Sequence, residues 1–167
     1  MPTPVNMYAL LHPRGGAPVS RFKSPATTNT RQVAFERFKR TRYGAATYPE
    51  WLVYDWLVRQ RYEEYRDFYY QVPLGGGRTV KGGFVIDFIF GPSISGRRLP
   101  VEVWNTQFHT GAVFGDPVRQ KVVDKIKREM MERIFGMSVY IWEPDLLGNV
   151  ERTMRLAVQG VSTGKTP

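Results

Sequence analysis

The chain has 167 residues, 42% of them hydrophobic, which is enough for one domain with a real core. It has no cysteine, which excludes disulfides, thiolate zinc sites and a cysteine nucleophile. A formal net charge of +9 and a pI near 10.0 favour a polyanionic partner, nucleic acid before an acidic membrane surface.

Residues 1–29 are rich in Pro, Gly, Ser and Thr and show no period, as in a flexible basic arm. Met7 to Leu11 is too short for a signal-peptide core. No segment reaches the roughly 18 apolar residues of a membrane span. A cytoplasmic location is therefore expected, with no membrane partner. Residues 1–47 carry eight Lys/Arg and one acid, so +7 of the +9 belongs to this end. Residues 30–43 read as a short basic helix with Thr30 as cap, Val33, Phe35 and Phe38 partly buried, and Gly44 as its stop.

A domain is expected over 47–158, after an arm at 1–46 and before a polar, frayed tail at 159–167. Thr47-Tyr48-Pro49-Glu50 resembles a capping box with proline in the first turn. The helix it opens runs to about Tyr62, with Leu52, Trp56 and Gln60 on one face, overlapped by Trp51, Tyr54 and Leu57. A strand is predicted over Arg66–Val72, a turn over Pro73–Gly77 and a break at Gly82-Gly83. Phe84–Phe90 is apolar except for Asp87, as in a strand buried on both faces. Pro92–Arg98 reads as a loop and Leu99–Trp104 as a strand carrying Glu102. Asp116-Pro117 opens a helix to Phe135, where Val118, Val122, Ile126, Met130 and Ile134 repeat every four residues, with Val123 and Met131 widening the apolar stripe. Gly136 closes it, Met137–Trp142 forms a strand, and Pro144 starts a last helix to about Val158. Trp51, Trp56 and Trp142 are expected in the core.

A lone Asp in a strand of Phe, Val and Ile is costly to bury ionised unless something compensates it, and a metal cation is one such compensation. Asp87, Glu102 and His109, which follows seven residues after Glu102, make a compact set of oxygen and nitrogen ligands. A magnesium-dependent nuclease needs such a set to hold its metal and move a proton.

The order helix, three strands, helix, strand, helix resembles the core of the PD-(D/E)xK nuclease superfamily. That family places its metal-binding acids on the second and third core strands, as Asp87 and Glu102 are placed here. Trp104 stands where the family's lysine is usual. The match is better to the very-short-patch-repair and phage EDxHD homing endonucleases, which dispense with that lysine. The residues that carry this resemblance are Glu50 in Tyr-Pro-Glu-Trp, Glu102-Val-Trp-Asn-Thr-Gln-Phe-His109, Asp124-Lys-Ile-Lys127, Gly136 and Ile141-Trp142-Glu143. They span about residues 47–158.

The resemblance implies an α/β fold with a restriction-endonuclease-like core, a mixed sheet flanked by helices, and a metal-dependent, phage-associated DNA endonuclease. Asp87, Glu102 and the carbonyl of Val103 would bind Mg²⁺ or Mn²⁺. Glu50 would reach a second metal or its water, His109 would orient or deprotonate the nucleophile, and Lys127, or Lys125, would offset charge, with Asp124 also at the site. Arg37, Lys39, Arg40, Arg42, Arg119, Lys121, Lys125 and Arg128 would hold phosphates.

Plainer readings stand beside these. Glu50 completes a helix cap, Arg97 or Arg98 pairs with Glu102, and Asp124 and Lys127 sit on a solvated helix face. A second functional reading is a catalytically impaired nuclease-fold protein that binds DNA or serves virion assembly. A third is an RNA-binding module stacking bases on Tyr69, Tyr70 and Phe108. A homodimer, or a phage or host protein partner, is compatible with the first two.

Overall fold

The computed structural model describes residues 26–42, 46–77, 83–105 and 117–164. The chain divides into two compact units, Met1–Trp51 and Leu52–Pro167.

In the first unit, helix α1 spans Ala26–Thr41. It begins before Thr30, which lies within the helix instead of capping it. Phe35 and Phe38 are buried as expected, but Val33 is exposed. Phe35 meets Tyr48 edge-on at 5.3 Å and tilts against Trp51 at 6.0 Å, which fixes α1 against the start of helix α2, Tyr48–Arg59. Thr47 caps α2: the Glu50 amide donates to its Oγ1 at 3.4 Å, and that hydroxyl donates to the Glu50 carboxylate at 2.9 Å. Gly44 lies outside the described residues.

In the second unit, the rest of α2 is apolar nearly all round, and Leu52, Val53, Tyr54, Trp56 and Leu57 are all buried. Gln60 falls beyond its end and is exposed. The sheet is four-stranded and mixed, in the order β1 (Phe68–Leu74), β2 (Phe84–Phe90), β3 (Leu99–Trp104), β4 (Val139–Trp142). The first two pairings are antiparallel and β3–β4 is parallel. A parallel pair needs a crossover, and helix α4, Pro117–Phe135, lies between β3 and β4 in the chain.

β1 starts two residues later than expected. The buried Asp67 carboxylate accepts from the Arg66 side chain, the Glu63 amide and the Ser93 hydroxyl, and so holds residues 63–67 in a turn. Gly75, Gly76 and Gly77 follow β1 with φ of 61°, 91° and 63°, a left-handed run that side chains resist. A one-turn helix α3, Pro92–Ser95, occupies part of the expected loop. The expected last helix is two, α5 (Glu143–Gly148) and α6 (Val150–Val158), because Asn149 is extended and its side chain accepts from the Arg152 amide at 2.9 Å.

The tail beyond Gly160 is not frayed over its described residues. Ser162 and Thr163 side chains accept from the Tyr140 and Trp142 amides at 3.0 Å, and the Thr163 amide donates to the Tyr140 carbonyl at 2.9 Å. The tail thus covers the free edge of β4, which would otherwise offer unpaired amides.

Of the apolar stripe expected on helix α4, Met131 is buried and Val123 and Met130 are half-buried, but the rest faces outward. Val118, Val122, Ile126 and Ile134 are exposed, while the face turned inward carries Asp124 and Met131, both buried. Asp124 and Lys127 therefore do not sit on a solvated face. Nor does Arg128 stand on an outward basic face: it is half-buried, its Nε 3.8 Å from Glu132.

Candidate active site on strands β2 and β3

The β2–β3 ladder pairs Phe90 with Leu99, Ile89 with Pro100 and Phe88 with Val101. One further step in this register places Asp87 opposite Glu102, and there side chains replace the ladder. The Asp87 amide donates to Glu102 Oε1 at 3.2 Å, and the Val103 amide donates to Asp87 Oδ2 at 2.8 Å. Each acid is thereby fixed by the other's strand.

Lys127 completes the group. Its ammonium, projecting from α4, lies 2.5 Å from Glu102 Oε2. Neither Arg97 nor Arg98 makes an ion pair with Glu102 among the described contacts; the cation comes from α4. Burial, then the neighbouring Asp87 carboxylate, push the Glu102 carboxyl up to about 8, against the opposing pull of Lys127. For Lys127, burial works to lower its affinity for a proton. The charges of Glu102, Asp87 and Asp124 outweigh that and hold it above the ordinary lysine value. Asp124 stays close to this group electrostatically while accepting from Gln120 on its own helix at 2.8 Å.

The other flank of Asp87 is irregular as well. β1 and β2 pair from Phe68–Phe90 to Leu74–Phe84, except at Gln71 and Asp87. Gln71 has a φ of +50°, uncommon for a residue with a side chain and costing of order 1–2 kcal/mol. Its amide donates to the Tyr70 hydroxyl at 3.0 Å. Gln71 was no candidate from sequence; the only available signal was a lone amide in an aromatic strand. Tyr140 is a second such residue. It is buried opposite Glu102 on β4, and burial raises its phenol well above the usual value.

Trp104 packs at 5.9 Å from the Tyr140 ring and 6.2 Å from Trp142. A lysine there would remove this stacking. His109 lies outside the described residues. Glu50 belongs to the first unit, where its described partner is Thr47.

Two buried or half-buried carboxylates on adjacent strands fit a hard cation. Mg²⁺ is held through one or two carboxylates and keeps several waters. Relief of the repulsion that raises Glu102 would favour a cation beside it. Among the described residues no group of three or more His, Cys, Asp or Glu could hold a metal, so water would supply the remaining ligands.

Among the proposed phosphate-binding residues, Arg37, Arg40, Arg119, Lys121 and Lys125 are exposed. Lys39 and Arg42 instead lie over the Phe35 and Phe38 rings at 5.5 Å. No described helix is long and apolar enough to cross a membrane. No family model, curated protein or solved structure matches the chain.

Proposed function

We propose that this chain is a metal-dependent DNA endonuclease with a restriction-endonuclease-like core, of the kind its motifs resemble. The observation that carries this reading is the meeting of Lys127 with Glu102 beside Asp87, an acid–acid–lysine group assembled from β2, β3 and α4. It supplies from a helix the cation that Trp104 removes from the strand.

Asp87, Glu102 and the Val103 carbonyl would hold Mg²⁺ or Mn²⁺, which when bound supplies the charge that activates water and neutralises the scissile phosphate. The Asp87 carboxylate, fixed by the Val103 amide, holds its place without reorganising as charge develops. The Lys127 ammonium, held against Glu102, would offset charge on the phosphate. His109 would orient or take the proton of the nucleophile. The exposed arginines of α1, with Arg119 and Lys121 of α4, would bind the phosphate backbone without reading sequence. The phage association of such enzymes and a place in the host-cell interior or virion come with the same resemblance.

A specific feature favours the second reading, a nuclease-fold protein that binds DNA without cutting it. Both Glu102 oxygens and one Asp87 oxygen already have protein donors, so the group is satisfied without metal. Supercoiled plasmid incubated with Mg²⁺, Mn²⁺ or EDTA separates the two. Nicking that needs metal and falls at least a hundredfold in Asp87→Ala and Glu102→Gln supports the enzyme. Plasmid retarded on a gel but never cut, with either metal, leaves the binding protein.

A further inference from the structure

Helix α4 packs Met131 and Asp124 against the sheet and leaves a ridge of apolar residues exposed between charged ones. Val118, Val122, Ile126 and Ile134 expose 72%, 53%, 44% and 53% of their surface. They stand four residues apart, with half-buried Met130 completing the series. Such a series is one ridge of the helix surface, about 24 Å long at 1.5 Å per residue. Four branched or long apolar side chains in a row on a basic, charged chain make a contiguous patch of the kind that marks an interface.

The ridge also indicates what covers it. Ridges of i±4 spacing interdigitate with ridges of the same spacing at a crossing near −50°. A second copy offers the same ridge, and a two-fold axis makes one patch complementary to itself. The flanking charges are split along the helix: Arg119, Lys121 and Lys125 on the N-terminal half, Glu129 and Glu132 beside Arg133 on the C-terminal half. Lys125 and Glu129 are 66% and 58% exposed, and their contact within the helix is a loose 3.9 Å. Two helices running antiparallel would bring the lysine half of each against the glutamate half of the other.

We propose that two copies of this chain associate through the outer ridge of α4, antiparallel about Ile126, with Lys125 of each chain meeting Glu129 of the other. The proposal does not depend on the nuclease reading. A single helix pair falls short of the roughly 1,200 Å² of a standard interface, so the dimer is weak and concentration-dependent. Lys127 is turned to the sheet and held against Glu102, so pairing through the ridge keeps both Asp87–Glu102 groups in one particle without occupying them.

Sedimentation of the full chain up to about 100 µM tests this, a range that captures micromolar association. The expected mass rises from 19.3 kDa toward twice that value. Ile126→Glu stays monomeric with an unchanged thermal melt. Lys125→Glu alone and Glu129→Lys alone each weaken association about tenfold, by placing like charges across the axis. An equimolar mixture of the two restores it, because each contact then pairs opposite charges. A wild-type chain that stays at 19.3 kDa overturns the proposal. So does a dimer that survives Ile126→Glu, or two charge variants that fail to rescue each other.

Discussion

Glu102 lies between Asp87, which disfavours its charge, and Lys127, which favours it, and burial tips the balance toward the protonated form. Between its ordinary value of 4.5 and about 8, the folded chain holds a proton that the unfolded chain has released. The stability from this group is therefore complete at low pH and is lost as pH rises across that window. In chelator, the wild-type melting temperature should fall from pH 5 to 8 more steeply than that of Glu102→Gln, measured by calorimetry. Added Mg²⁺ should flatten the difference near pH 8, because it binds the ionised carboxylate. Gln71, on the other flank of Asp87, carries the backbone cost. Gln71→Gly should remain within about 1 kcal/mol of wild type in urea unfolding, whereas the β-branched Gln71→Val should lose about 2 kcal/mol. Equal losses in both variants would mean that the side chain, not the left-handed φ, matters there. Asp87 and Glu102 were legible in the sequence because an acid inside an apolar strand is itself an anomaly. Gln71 was not, because no residue type announces a positive φ except glycine.

At the level of elements, short polar contacts settle boundaries that hydrophobic pattern leaves open. Asn149 divides the last helical segment by capping α6. Asn149→Ala should cost about 1 kcal/mol in chemical denaturation, with the loss read as helicity by circular dichroism. The tail is tied to β4 through side-chain acceptors rather than a regular ladder, so its polar composition resembles that of a frayed end. α4 shows the opposite difficulty. Its four-residue apolar repeat is genuine, but a repeat reports that a face is apolar and not which way it turns. Here the inward side is taken by Asp124, Lys127 and Met131, because Glu102 needs a cation within reach and α4 is the element that crosses over beside β3.

For the whole molecule, charge governs association with a polyanion. If DNA binds through the exposed face of α1, log K should fall linearly with log salt, with a slope of about −0.9 per phosphate contacted. Arg37→Ser with Arg40→Ser should make that slope shallower by about 2 and weaken all sequences alike, as read by fluorescence anisotropy. An unchanged slope would move the DNA contact elsewhere. The same substitutions should leave dimerisation through α4 intact, since they lie on a different helix.

By itself, the sequence determined the α/β order of elements, β2 and β3 at their observed limits, the helix from Pro117 to Phe135, and the two acids at Asp87 and Glu102. Alternation, proline and glycine placement, and buried charge are local properties, and local properties survive in one dimension. Only the tertiary structure decided that Lys127 supplies the cation, that Gln71 interrupts the pairing opposite Asp87, that the tail seals β4, and that the α4 ridge faces outward. Each of these depends on which surface a remote segment presents, and no local stretch of sequence carries that information.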